Sequence, residues 1–280
     1  MTSVVGTFAE ALVDFVEYYF GWLLNLLGRV LDVPLDLLGN VLYDTEPLIL
    51  IVAIAAISLL VTRRMITTAV ITAAFAIIHW MGYWNSAMIT LNMVIVSAAV
   101  AIVIAVPLGI WAARSEFANP VIKTLMDFMQ TMPAFVYLIP AVIFFGLGVV
   151  PGVVATVIFA MPPVVRLTNL GIRQVPVEMD EVAESFGSTE FQKLTKVQLP
   201  TAMPSIMAGI NQCIMLSLSM VVIAAMIGGG GLGQDIVFAL NRVDVALGFE
   251  AGLAVVLIAI ALDRLTQALR DGGNGSELRT

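Results

Sequence analysis

Seven apolar runs close to membrane-crossing length, joined by short polar connections, constrain this chain more than anything else in it: 47–62, 65–82, 88–112, 134–150, 152–168, 204–227 and 246–262. A bilayer core about 30 Å thick needs about 17–25 helical residues to cross. A soluble core has no use for so many such runs. The expected fold class is therefore all-α, a polytopic transmembrane helical bundle of about seven spans. The composition agrees, with 60% hydrophobic residues against 12% charged ones over 280 residues. A net charge of -7 and only 13 scattered Lys and Arg leave no basic groove, which excludes a nucleic-acid partner.

Ahead of the first run, Glu10, Asp14 and Glu17 share one helical stripe, with Phe8, Leu12, Phe15 and Tyr19 on other faces. This predicts an amphipathic helix over 4–31 lying in the interface. Asp32, Pro34, Asp36, Gly39, Asn40, Asp44 and Glu46 read as punctuation, so 1–46 is expected to be an extracytoplasmic or interfacial appendage. The transmembrane domain follows over 47–270, with its core at 87–270 and a tail at 271–280. The acidic start lacks the basic n-region and cleavage site of a signal peptide, so the chain is expected to be mature throughout.

Eleven of the thirteen positive charges fall on one side of the expected spans, Arg29 and Arg242 being the exceptions. The positive-inside rule then places the N-terminus outside and the C-terminus in the cytoplasm. Trp80 and Trp84 are expected in an interfacial aromatic belt at the outer boundary. Pro107, Pro140, Pro162 and Pro163 predict kinks. No internal repeat is visible.

Little in the chain suggests chemistry of its own. Cys213 and His79, each the only residue of its type, are expected to pack within spans. Metal sites and Ser-His-acid triads need more than that. Gly228, Gly230 and Gly233 satisfy G-x-G-x-x-G, yet no strand precedes them, so they predict a flexible outer turn rather than a dinucleotide site. None of Lys123, Lys193 and Lys196 follows a glycine, so there is no P-loop. Charged residues lie near span ends, with Glu250 and Asp263 at the two boundaries of the last span. That disfavours ion coupling. No clear polar pore stripe is visible either.

The most informative region is the loop from Arg166 to Thr201, too long for a mere connector. Within it 177–191, VEMDEVAESFGSTEF, carries five acids beside Val182, Ala183 and Phe186. A short helix there would end at Gly187. The spacing Glu181-Val182-Ala183, then three residues, Gly187, nine residues, Val197, one residue, Leu199-Pro200 resembles the EAA loop of ATP-binding-cassette (ABC) importer permeases. Val182 replaces its second alanine and Val197 its isoleucine. From about Trp84 to Gln267 the chain is similar to permeases of the glycine betaine and proline betaine importers. The likeness is carried by MQTMPAFVYLIP at 129–140, KVQLPTAMPSIMAGINQ at 196–212, LSMVVIAAMI at 218–227, GGLGQ at 230–234 and LDRLTQAL at 262–269.

That resemblance implies a type I importer permease fold, working as a homodimer in the cytoplasmic membrane. Two ATPase subunits would dock on the loop through Glu181, Val182, Ala183, Glu184, Ser185, Phe186, Gly187, Leu199 and Pro200. Glu190 joins Glu181 and Glu184 as a candidate polar contact. An extracytoplasmic binding protein would deliver a small quaternary ammonium solute. The chain itself would hold no cofactor or metal and catalyse nothing, ATP and Mg belonging to the ATPase. The solute would be glycine betaine or, alternatively, choline, carnitine, proline betaine or trimethylamine oxide. Phe135 and Tyr137 are weak candidates for the substrate pathway through cation–π contact, although helix packing accounts for them as well. A secondary carrier or channel would need an intramembrane charge or pore stripe, and a scaffold would need no such loop.

Overall fold

The computed structural model describes residues 4–274, all of its ordered elements being helical. Glu10, Phe8 and Leu12 lie outside the side chains described, as do residues 275–280 of the expected tail.

The N-terminal region departs from expectation. Helix α1 (Val4–Asp44) runs without interruption through Pro34. Leu31, Leu35, Leu38 and Leu42 recur at helical spacing and pack into the core, while Asp32, Asp36, Asn40 and Asp44, four residues apart, form the exposed stripe behind them. Asp32, Asp36, Asn40 and Asp44, which read as loop punctuation, are thus the polar face of a helix. Asn92 fastens it from the bundle side, its amide donating to the Leu35 carbonyl at 2.9 Å and to the Tyr43 hydroxyl at 2.9 Å.

Helices α2 (Pro47–Thr62) and α3 (Met65–Trp80) pack on one another and on the last helix. Arg63 makes the turn between them in the left-handed conformation, φ 51°. Then come α4 (Trp84–Arg114), α5 (Ala118–Thr131), α6 (Ala134–Phe145) and α7 (Val149–Arg173). The next segment contains α8 (Val177–Ser185), α9 (Glu190–Lys193) and a π turn (Leu194–Gln198). That turn leads into α10 (Leu199–Ala225), and α11 (Gly231–Arg242) and α12 (Val245–Asn274) complete the chain.

The centre is α4 against α7 and α7 against α10, with α11 and α12 beside them. Close approach needs a hydrogen where a side chain would stand. A Cβ on Gly109 would come within 2.6 Å of the Thr168 Cβ. Without a strong hydrophobic drive between helices in lipid, such contact supplies much of their association.

Among the described residues four helices are long and apolar enough to cross a membrane: α4, α7, the continuous run Glu190–Ala225, and Val245–Ala268. The bent pairs α1–α2 (115°) and α5–α6 (99°) raise the count to six if each is one span, and α3 is a shorter apolar helix. Each of the seven expected apolar runs falls on a helix, α2, α3, α4, α6, α7, α10 and α12, and with each bent pair counted once and α3 added the total is seven. The run 134–150 stops being helical at Gly146 and Gly148, φ 77° and 140°, and is turned away from α5 at Pro133. Helices α4, α6 and α7 are continuous through their prolines.

Two features expected at the outer boundary also differ from expectation. Trp84 is buried, packed edge-on to Phe75 and His79, and only Trp80 is exposed as a belt residue would be. The turn at 228–233 is held rather than loose. Gly231, φ 68°, lies so close to Thr90 that a Cβ would stand 2.5 Å from its hydroxyl, which accepts from the Leu232 N–H at 2.9 Å. Cys213 is buried in α10, as expected of a packing residue.

Candidate coupling site

Helix α7 continues to Arg173, so the expected loop from Arg166 shrinks to the stretch around α8. Arg166 pairs with Asp127 of α5, and Arg173 reaches Glu116 at 3.0 Å and the Ala112 carbonyl at 3.3 Å. These contacts extend the helix beyond its apolar length.

Pro176 precedes α8 as its N-cap residue, in an extended conformation with ψ 135°, and Glu178 and Asp180 lie in the first turn, where the helix dipole favours negative charge. The far end is a Schellman closure. The Ser188 N–H donates to the Ala183 carbonyl at 3.0 Å, and the Gly187 N–H to the Glu184 carbonyl at 2.9 Å. Gly187 has φ 73° and nothing within 4 Å of where a Cβ would stand. Its glycine answers a backbone requirement, not a lack of space.

Ala183 is 7% exposed and faces the chain itself, toward α9 and the π turn. Val177, Val182 and Phe186 point outward, Phe186 at 86% exposure. Glu181 and Ser185 are exposed too, Ser185 donating to the Glu181 carbonyl at 2.7 Å. Among the described residues the Glu181 carboxylate has no ion-pair partner. Glu184 and Glu190 differ: Lys193 Nζ bridges them at 2.7 Å and 3.1 Å, and Arg114 of α4 pairs with Glu190. They hold α8 and α9 to the bundle. Gln198 adds an amide donating to Asp180 at 3.0 Å.

Lys193 and Glu190 sit on the polar α9, ahead of the apolar length of α10. Hydrogen bonds to Glu184 and then Glu190 raise the Lys193 pKa, and Lys193, then Arg114, holds the Glu190 carboxyl below its usual range. A Thr189–Gln192 capping box fixes the start of α9, the Thr189 N–H donating to Gln192 Oε1 at 2.9 Å.

The root of this assembly is apolar. Leu194 and Leu199 pack into a cluster with Ile172, Ala202 and Ile206. Pro200 cannot donate to the Lys196 carbonyl and its ring crowds that oxygen. The π turn just before it, where the Leu199 N–H reaches back to Leu194, provides the room. Leu199 and Pro200 therefore lie at the root of the site, where α10 begins, and not on α8.

The substrate candidates diverge. Tyr137 is buried, its hydroxyl donating to the Met129 carbonyl and its ring edge-on to Phe159, whereas Phe135 is exposed. Lys193 and Arg114 went unnoticed in the sequence as site residues. The T-x-x-Q signature at 189–192 is the one local signal that pointed to ordered structure there.

Lys193→Met is expected to reduce ATP-driven uptake severalfold while leaving thermal unfolding of the bundle unchanged, since the pairs it breaks are exposed at their carboxylates. Uptake and melting curves on the same preparation check this. An equal loss in both would make Lys193 a general stabiliser.

A family model described as binding-protein-dependent transport system inner membrane component matches residues 105–271. The glycine betaine/carnitine transport permease protein GbuB of Listeria monocytogenes serotype 1/2a is 49% identical over 96% of this chain and 94% of its own length. The glycine betaine transport system permease protein OpuAB of Bacillus subtilis is 45% identical over 93% of this chain and 92% of its own. In fold, the chain is similar to an inward-facing structure of the MetNI methionine ABC transporter. That match has TM-score 0.59 and 19% identity, and covers 69% of this chain and 97% of the other. On the family match and these identities, the chain belongs to the binding-protein-dependent transport system inner membrane components, as a multi-pass permease subunit of an ABC importer.

Proposed function

We propose that this permease carries glycine betaine, or a closely related quaternary ammonium solute, into the cytoplasm. It works as a homodimer with two ATPase subunits seated on the two copies of α8, and a binding protein delivers the solute at the outer face. The observation that carries this reading is α8 itself. It is a helix closed by a Schellman turn and tied through Glu184 to Lys193 of α9, and it turns Val177, Val182 and Phe186 outward. A rigid element so tethered passes a partner's displacement to the helices at its root.

The orientation reading has support in the topology. Arg63 and Arg64 join α2 to α3, and Arg114 and Arg173 end α4 and α7, Arg114 pairing beside the coupling site. Tyr83 and Glu250 meet at 3.1 Å where α4 and α12 begin, the opposite end. The basic end is the cytoplasmic one under the positive-inside rule, with the N-terminus outside and the C-terminus inside. ATP and Mg bind to the partner subunit and no cofactor to this chain. Glu181, Phe186 and the neighbouring residues of α8 contact the ATPase.

The test is uptake of labelled glycine betaine, carnitine, choline, proline betaine and trimethylamine oxide into proteoliposomes. The vesicles hold this chain with its ATPase and binding protein, with and without internal ATP. ATP-dependent accumulation of glycine betaine above the others is the expected result. Uptake independent of ATP would indicate a secondary carrier and overturn the coupling mechanism. ATP-dependent uptake of another of the five would reassign the solute.

A further inference from the structure

Helix α10 is two-sided in a way that its apolar sequence conceals. Ala202, Ile206, Gly209, Cys213 and Met220 are buried against the bundle. Thr201, Ala208, Gln212, Ser219 and Met226 are exposed and recur at intervals of seven, four, seven and seven residues, which is one narrow stripe along the helix. Gln212 and Ser219 stand about 10 Å apart on it. Off this stripe α10 packs on α4, α7, α11 and α12, with Met203 and Pro204 near its start also exposed.

The two amides in its middle are used differently. Asn211 is occupied, donating to Asp263 at 3.2 Å and accepting from Thr266 at 2.8 Å, which fastens α10 to α12. Gln212, one residue on, is exposed and among the described residues has no hydrogen-bond partner. A primary amide left bare in hydrocarbon forfeits the bonds it makes in water. This face therefore meets water, a polar solute or a second copy of the chain rather than lipid.

We propose that the Gln212–Ser219 face of α10 is a wall of the translocation pathway, and that the Gln212 amide donates a hydrogen bond to the carboxylate of the passing solute. The solute class rests on the function proposed above. The chemistry is selective because a quaternary ammonium group neither donates nor accepts a hydrogen bond. In a betaine the carboxylate is the only polar handle, and choline lacks it. Ser219 offers a hydroxyl as a second polar group along the same line, now donating to the Met215 carbonyl at 3.0 Å.

Cysteine accessibility and solute preference test the two halves separately. In a Cys213→Ala background, Gln212→Cys and Ser219→Cys in the assembled transporter should react with a charged methanethiosulfonate reagent, and glycine betaine should slow the reaction at 212. Val103→Cys, on the exposed apolar side of α4, should not react, and Thr201→Cys serves as the positive control. Gln212→Leu should raise the KM for glycine betaine about tenfold and leave choline uptake unchanged, as loss of one hydrogen bond to a charged group does. An unreactive Gln212→Cys variant beside a reactive Thr201→Cys variant would overturn the wall. So would cross-linking of Gln212→Cys between copies without labelling. An unchanged preference in Gln212→Leu would overturn the carboxylate contact. Should wild-type transport none of the tested solutes, the solute assignment fails while the labelling still decides whether the face meets water.

Discussion

Gly187→Arg, assembled with its ATPase and binding protein in proteoliposomes, is expected to give ATP-dependent uptake no higher than empty vesicles, while the permease still inserts and melts at the wild-type temperature. The backbone at 187 has φ 73°, a conformation that costs a residue with a Cβ about 1–2 kcal/mol. That strain falls on the closure of α8, where the Gly187 and Ser188 N–H groups hold the last turn. Because nothing lies within 4 Å, the arginine side chain does not disturb the bundle but projects beside Phe186, onto the face proposed to meet the ATPase. Backbone strain and obstruction can be told apart. Asn tolerates the left-handed region and is short, so Gly187→Asn should retain most uptake. Normal uptake by Gly187→Arg would remove α8 from the coupling mechanism.

Gly109→Leu should do the opposite damage, lowering the stability of the permease before any question of transport arises. A Cβ there would meet Thr168 Cβ at 2.6 Å and Thr168 Cγ2 and the Val165 carbonyl at 2.9 Å each. The last is backbone of α7 and cannot rotate away, so α4 and α7 must part. Overpacking of this kind costs on the order of 3 kcal/mol, a fall of about 5 °C in melting temperature at this chain length. Gly252→Leu is the control, since nothing lies within 4 Å of that position on α12. Its melting temperature should stay within a degree or two of wild type. Equal losses in the two variants would mean that leucine is harmful in these helices wherever it is placed.

How far the sequence could be read follows from what each pattern encodes. The membrane bundle was legible because helix-forming apolar runs encode it directly, and family resemblance supplied the permease fold. The α8 end was legible from Gly187, whose spacing from Ala183 is that of a Schellman closure. The second half of α1 was missed although its spacing was present. Asp32, Asp36 and Asn40 recur every four residues, but acids beside Pro34 and Gly39 resemble a loop until the leucines between them are seen to share one face. The tether of α8 was hidden for another reason. Arg114, which pairs with Glu190, is 76 residues away in the chain, and no local pattern records such a meeting. Trp84 shows the same limit, because an aromatic near a boundary reads as a belt residue whether it turns toward lipid or toward Phe75. Gln212 and Ser219 escaped notice because two polar residues seven apart are diluted by the apolar positions around them.

The π turn at Leu194–Gln198 gives the junction of α9 with α10 a mechanical property of its own. It holds one residue more than an α-helical turn would. Returning those residues to α register would swing α10 by about 100° relative to α9 and change their separation by about 1.5 Å. A push along the short helix that drove this change of register would reach the long one as torsion, a screw rather than a piston.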